Sequence, residues 1–334
     1  MNNQLTLKPV TRFFLERRFG HQALVDAENK IEKLMKNQGL KGRIRLLVGP
    51  SGTSKTAMLE IMEKKYPPII AEFSGANLPQ ILSIRLTSAA NTKALYWCLI
   101  EGLGVKPVGN EYQLRNQFNE LVKNMPLKLI AIDEIQHTLP NKSTSSKTQN
   151  IADTIKNIVD ETKIPMLLIG LENSLSLVEN SFSRATTMQK EEDQLYRRAL
   201  SPIRFKPVEY ADNTAMVTIL KGYTAIFEQV KAKFGTSILN LLDADIMNRL
   251  WLASEGYIGR LSEIFCEALE VCEESQQITL STLGEAYDEV NSWNTSSINP
   301  FTARSQKELD QLKTSIFLSQ KRKESKTKIE QDAA

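Results

Sequence analysis

Apolar residues along the chain fall into two patterns. Short apolar-rich runs, in RIRLLVG, QILSIRL, LKLIAID, IPMLLIG and the stretch beginning at Ile203, read as strands of a buried sheet, because a strand covered on both faces has no polar side. A further strand is expected over 69–73. Between these runs the apolar positions recur at helical spacing. Leu24, Ala27, Ile31, Leu34 and Met35 mark a helix over 21–38 with Gly39 as its stop, and other helices are expected over about 55–65, from Thr92, over 111–123 and over 151–162. Strands alternating with helices predict an α/β core with a parallel sheet over residues 41–207. From Asp212 the pattern is helical, over 212–233, 243–254, 258–274 and 279–290, which predicts a small α-helical lid domain over 208–292. Ahead of the core lie an apolar-basic arm and a helix, 1–40. Behind the lid, 293–334 is rich first in Ser, Asn and Thr and then in charge, and reads as a flexible tail.

Composition narrows the class. The 334 residues suit about two domains, and 41% hydrophobic with 24% charged residues is an ordinary globular balance. No apolar run approaches the ~20 residues of a bilayer span, and MNNQLTLKPVTRFF lacks the apolar centre of a signal peptide, so no membrane partner is expected and the cytoplasm is the expected compartment. Cys98, Cys266 and Cys272 form no C-x-x-C pair, and His21 and His137 are the two histidines, which argues against a zinc site or a disulfide framework. The net charge of +3 resides wholly in residues 302–334; the rest balances at 34 against 34. A nucleic-acid surface on the folded part must therefore come from local clustering.

The chemistry gathers first at GPSGTSKT. Gly49, Pro50, Ser51, Gly52, Thr53, Ser54, Lys55 and Thr56 have the spacing of a phosphate-cradling Walker A loop, Gly-x-x-x-x-Gly-Lys-Ser/Thr, with Ser54 in place of the second glycine. Backbone N–H groups and the start of the following helix would surround the phosphates of ATP, Lys55 would reach the β and γ phosphates, and Thr56 would hold Mg²⁺. Ser54 narrows the backbone conformations open to the turn. A second motif, LKLIAIDEIQ, runs from apolar residues into two carboxylates at a strand end. Asp133 would sit near Mg²⁺, and Glu134 would polarise the attacking water.

Other residues are candidates on weaker grounds. Asn173, just past the IPMLLIG strand, lies where a side chain could sense the γ-phosphate. Arg197 and Arg198 are adjacent cations far along the chain from the phosphate loop, placed to serve a neighbouring subunit or to form structural ion pairs. Arg260, at the first turn of a lid helix between Gly256 and Gly259 and the helix body, opposes the helix dipole unless a phosphate lies there. Thr92 and Lys93 at a helix start, and Lys142 and Lys147 in the polar stretch HTLPNKSTSSKTQN, suit contacts to DNA phosphates as well as plain solvation. Phe19, Gly20 and His21 are candidates to cover an adenine ring, and packing explains them equally well.

Taken in order, GPSGTSKT, LIAIDE, QLYRRA and GYIGR resemble AAA+ ATPases of the initiator-like clade. More closely, with the QL-x-x-R run, EG-x-IGRL and Asn299-Pro300-Phe301, the chain is similar over residues 10–301 to the TnsC/TniB group, ATP-dependent target regulators of bacterial transposons, including CRISPR-associated ones. The resemblance implies an AAA+ P-loop core with a helical lid, ATP hydrolysis with Mg²⁺, expected to be slow because Ser54 departs from the family's glycine, and Arg198 as the arginine supplied in trans, with Arg197 second. It implies Arg260 as the sensor-2 arginine and DNA contact around Thr92 and Lys93. It further implies a homo-oligomeric ring or filament on duplex DNA without base specificity, a transposase, and a targeting factor such as a TniQ-type adaptor. Two other readings stay open: a nucleotide-gated scaffold that binds ATP and DNA with negligible turnover, and a replication initiator or loader of the same clade.

Overall fold

The computed structural model describes residues 7–17, 19–39, 42–71, 75–87, 91–139, 145–178, 194–292 and 298–332. They form two compact units, one over Leu24–Phe205 and the other built from the chain before Leu24 and after Phe205. The chain opens with helix α1 (Pro9–Leu15) and passes through α2 (Gln22–Met35) into β1 (Ile44–Val48) and α3 (Lys55–Lys65). A hairpin of β2 (Ile69–Ile70) and β3 (Asn77–Leu78) precedes β4 (Ile81–Arg85), α4 (Thr92–Gly102), α5 (Glu111–Lys123) and β5 (Leu129–Asp133). Then come α6 (Ser145–Thr162), β6 (Met166–Gly170), the short α7 (Gln194–Arg198) and β7 (Ala199–Arg204).

The main sheet has five strands in the order β4-β5-β6-β1-β7, every neighbouring pair parallel. Its apolar runs are continuous because it is covered on both sides. Ile44, Leu46 and Val48 of β1, Ile130 and Ile132 of β5, and Met166 and Leu168 of β6 pack with α4, α5 and α6 on one face. The intervening Leu47, Leu129, Ala131, Leu167 and Ile169 pack with α2 and α3 on the other. Period-two alternation thus serves two cores at once. Register brings the carboxyl ends together: Val48 lies beside Gly170 and Arg204, and Arg85 beside Asp133. In open parallel sheets this edge is where ligands bind.

Several expectations needed correction. Of the strand expected over 69–73, Ile69–Ile70 pair antiparallel with Asn77–Leu78 outside the main sheet, both isoleucines exposed, and 72–73 lie outside the described residues. Pro67 and Pro68 lead into it, and prolines cannot donate to a central ladder. The stretch expected as loop up to Asn150 is helical where it is described at its two ends: residues 135–138 form a 3₁₀ turn and α6 begins at Ser145, while 140–144 lie outside the described residues. Burial of Ile151, Ile155 and Ile158 holds that helix, and tertiary packing outweighs the weak helical preference of Ser and Thr. Strand β7 begins at Ala199, ahead of the expected Ile203.

The second unit contains α8 (Asn213–Phe234), α9 (Ala244–Ser254), α10 (Ile258–Val271), α11 (Leu280–Val290) and α12 (Gln306–Asp332), with a small parallel pair, β8 (Ser237–Ile238) and β9 (Gln277–Ile278). Helix α1 packs here and not as a free arm: Phe14, 2% exposed, lies among Tyr223, Phe227 and Phe265. Lys8 closes the end of α10, its backbone N–H donating to Glu270 Oε1 at 2.9 Å and its Nζ to the Cys272 carbonyl at 3.0 Å. The tail expected to be flexible from composition is a helix over 306–332, and its start is packed. Leu309, Leu312 and Ile316 are buried, and Phe317 meets Tyr210 and Trp251 at ring distances of 6.1 and 6.0 Å. Three apolar residues at helical spacing suffice to anchor it within a polar sequence.

Gly256 is required where it stands. Its φ of +81° is in the left-handed region, and a Cβ would overlap the Val208 carbonyl oxygen, which also accepts a 2.8 Å hydrogen bond from Trp251 Nε1. Gly256→Ala is expected to destabilise the helical unit by about 2–4 kcal/mol, through strain and overpacking together. A shift of the urea midpoint smaller than that of a neutral surface substitution would remove the argument.

Candidate functional site

The turn between β1 and α3 is built by its own short-range bonds. Gly49 N donates to the Gly170 carbonyl at 3.3 Å, tying the loop to β6. A Cβ at Gly49 would overlap the Phe205 carbonyl and crowd Thr53 Oγ1, so only glycine fits. Thr53, buried, donates its hydroxyl to the Pro50 carbonyl at 2.7 Å. Lys55 donates Nζ to the carbonyls of Gly49 and Pro50 at 2.8 and 2.7 Å. Pro50, Ser51 and Thr56 are exposed, and Gly52 takes φ +75°. Ser54 adopts φ +65°, ψ +20°, a left-handed conformation that costs a non-glycine residue about 1–2 kcal/mol. The sequence departure at this position is therefore carried as backbone strain.

Across the sheet edge, Asp133 ends β5, 6% exposed, and its Oδ1 accepts the Glu134 N–H at 2.9 Å. Glu134 is itself left-handed, φ +58°. Non-glycine backbone is thus strained at both the loop and the carboxylate pair. Arg85, at the end of β4, approaches Glu134 Oε1 at 3.4 Å, Gln136 Nε2 donates to Glu134 Oε2, and His137 Nε2 stands 3.9 Å from the same oxygen. Gln136 also accepts the Leu171 N–H at 3.2 Å through Oε1, so one amide joins the Glu134 carboxylate to the end of β6. Gly170 permits this, since a Cβ there would overlap Gln136 and Ser174. Sequence reasoning missed Arg85 and Gln136; their positions next to strand-end carboxylates, QILSIR and DEIQ, were the available signal.

Charge follows burial. Burial pushes the Lys55 ammonium below its ordinary value, against the pull of Glu134 and Asp133. Burial pushes the Asp133 carboxyl up, with Glu134 adding to it, while the Glu134 N–H, Arg85 and Lys55 act the other way. Ionised Asp133 thus destabilises the folded chain relative to a neutral isostere. Asp133→Asn, which keeps the acceptor for Glu134 N–H, is expected to raise the thermal midpoint of the nucleotide-free protein at pH 7. The gain should fade as pH falls through the raised pKa, where Asp133 becomes neutral too; a pH-independent difference would refute this.

The remaining candidates are dispersed. Asn173 is exposed in the 3₁₀ turn of residues 172–175 following β6. Arg198 pairs with Asp160, while Arg197 is exposed, its carbonyl accepting Arg43 Nη1. Arg260 belongs to the helical unit and donates to Glu255 Oε1 at 2.6 Å and Asn291 Oδ1 at 2.8 Å. Thr92 and Lys93 begin α4, where Asn91 caps the Ala94 N–H at 2.9 Å; Lys93 is exposed and Thr92 Oγ1 meets Thr154 Oγ1 at 3.2 Å. Lys142, and the side chain of Lys147, lie outside the described residues. Phe19 and His21 pack in the helical unit, with Phe19 against Gly222 and Tyr223. Among the described residues no cluster of His, Cys, Asp and Glu could hold a metal ion, and no helix is long and apolar enough to cross a membrane.

The model of the bacterial TniB protein family matches residues 12–197, more than half of the chain. The chain belongs to the TniB family. Among solved structures, this TniB-family chain is similar to the ORC2 protein of Aeropyrum pernix, solved as ADPNP-ADP complexes, at 14% identity and a TM-score of 0.53, over 83% of this chain and 71% of that one. The Walker-type ATPase PABY2304 of Pyrococcus abyssi matches at 17% identity and a TM-score of 0.54, over 83% and 75%. Cdc6p of Pyrobaculum aerophilum matches at 13% identity and a TM-score of 0.53, over 84% and 70%. At these identities the likeness is one of fold: an AAA+-type parallel sheet flanked by helices, with a helical C-terminal region. Among curated proteins none matches the chain.

Proposed function

We propose that this TniB-family chain is an ATPase that assembles as a ring or filament on duplex DNA, without base specificity, and links a target-selecting factor to a transposase. The observation that carries the ATP reading is the meeting of Lys55, Asp133, Glu134 and Gly170 at the ends of three adjacent strands. The loop N–H groups and Lys55 bind the phosphates. Thr56 hydroxyl and Asp133 carboxylate are hard oxygen donors of the kind Mg²⁺ takes, so these residues fit it. When bound, Mg²⁺ neutralises charge on the β and γ phosphates. Glu134 orients a water and takes its proton as the bond to the leaving oxygen breaks, after being released from Arg85 and Gln136. Asn173 senses the γ-phosphate, Arg260 is the sensor-2 arginine that the motif resemblance implies, and Arg198 of a neighbouring subunit, with Arg197 as alternative, completes the site. DNA phosphates meet Thr92, Lys93, Lys142 and Lys147, which makes binding salt-sensitive, with a log–log slope of about −0.9 per phosphate neutralised.

The support is the family membership, the AAA+ fold and the geometry of the loop and carboxylates; the transposase and the targeting factor rest on the resemblance of the sequence motifs. The test is ATP turnover with and without duplex DNA, alongside electron microscopy of protein, DNA and a slowly hydrolysed ATP analogue. Coated DNA with measurable turnover supports the reading, and neither one would end it. A second reading, a nucleotide-gated scaffold with little turnover, is favoured by the engagement of both Glu134 carboxylate oxygens by Arg85 and Gln136 and by the strain at Ser54. Assembly on DNA without turnover would select it.

A further inference from the structure

Hydrogen bonds from three directions converge on one five-residue stretch, Arg197 to Ser201. Arg198 donates Nε and Nη2 to the two carboxylate oxygens of Asp160, on α6, at 2.7 and 2.8 Å. Arg43, just ahead of β1, donates Nη1 to the Arg197 carbonyl at 3.0 Å, and Arg45, within β1, donates Nη1 to the Ser201 carbonyl at 2.7 Å. The last bond has a local cause. Between Leu200 and Ile203 β7 advances three residues where β1 advances two, from Arg45 to Leu47, and Pro202 offers no N–H within that bulge. Arg45 thus satisfies a carbonyl freed by the bulge.

Arg45 is an expensive way to do so. It is 7% exposed, its Nε has no hydrogen-bond partner among the described residues, and burial lowers its pKa. An apolar side chain of like volume would often be as stable at such a site. The same corner is drawn tight at Gly42, where a Cβ would overlap both the side chain and the carbonyl of Val159, the residue before Asp160. The entry to β1, the end of α6 and the Arg197–Ser201 stretch are therefore one packed corner. From it β1 runs directly to Val48 and the phosphate loop at Gly49.

We propose that Asp160, Arg43 and Arg45 are positioning residues that aim Arg198 at the nucleotide of a neighbouring subunit, so that β1 joins each subunit's phosphate loop to the arginine it lends. This rests on the reading of Arg198 as the trans arginine. A guanidinium is a planar fork, and a bidentate carboxylate on its Nε/Nη2 edge fixes both the plane and the direction of the group. An arginine so held needs little ordering when it meets a phosphate, whereas a displacement of about 1 Å from productive geometry can cost 10²-fold in rate. Arg43 and Arg45 hold the backbone that carries it, and Asp160 holds the side chain.

The experiment uses full-length Asp160→Asn, with Arg43→Met as a second and more exposed variant and Arg198→Ala as reference, each measured for DNA-stimulated turnover and for KM of ATP. Asp160→Asn is expected to lower kcat about 10- to 100-fold, with KM changed less than about twofold because its own phosphate loop is intact. Mixed with Glu134→Gln subunits, which still bind ATP and lend a correct arginine, the Asp160→Asn subunits should recover turnover; loss through misfolding would not be restored. If Arg198→Ala is inactive while Asp160→Asn and Arg43→Met match the unaltered protein, the positioning role is wrong and the trans-arginine reading stands. If Asp160→Asn is impaired and mixing fails to rescue it, the defect lies in its own site and the inference falls. If Arg198→Ala turns over normally, the reading of Arg198 fails and this inference with it.

Discussion

Glu134→Gln is expected to lower ATP turnover about 10²- to 10⁴-fold, the range spanned by a positioned general base, while ATP binding stays within a few-fold of the unaltered protein. Glutamine has the same length, can accept a hydrogen bond where Arg85 approaches Oε1 at 3.4 Å, and carries no requirement for a different backbone at φ +58°. It cannot take a proton from water. The loss should therefore appear in kcat and in single-turnover rates. Turnover within twofold of normal would leave Glu134 without its assigned role and favour the scaffold reading.

Lys55→Ala is expected to reduce ATP affinity by about 100-fold, the scale of charge-assisted hydrogen bonds to phosphate at 1.5–3 kcal/mol, and to abolish nucleotide-dependent assembly on DNA. Two losses combine. The ammonium no longer meets the phosphates, and its bonds to the Gly49 and Pro50 carbonyls, at 2.8 and 2.7 Å, no longer brace the turn. The Asp133 carboxylate also loses a cation that favours its charged form. A fluorescent ATP analogue measures the affinity, and sedimentation with duplex DNA measures assembly. Nucleotide-free coating of DNA by Lys55→Ala equal to that of the unaltered chain would overturn the coupling of assembly to ATP.

The strand–turn–helix and strand-end frame of the candidate site was legible because its parts lie in short contiguous motifs. GPSGTSKT folds into a strand–turn–helix from local bonds, and LIAIDE ends a strand with its carboxylates by simple alternation, so reading either needs no knowledge of distant residues. Arg85 was hidden for the opposite reason: it reaches Glu134 across a strand pair 49 residues apart in sequence. Asp160 and Arg198, 38 residues apart, and Arg43 and Arg197, 154 apart, carry no mutual signal in sequence either.

By itself the sequence determined the alternation of buried strands and amphipathic helices, the turn of GPSGTSKT and the strand-end acids, because each depends on periodicity or on backbone conformation within about ten residues. Tertiary structure alone decided which strands are neighbours, that the hairpin at Ile69–Ile70 stays outside the sheet, and that α1 and the start of α12 are packed in the helical unit. It also decided which acid holds which arginine. Such pairings arise from the closure of long loops around two cores, where burial, not local preference, selects the partner.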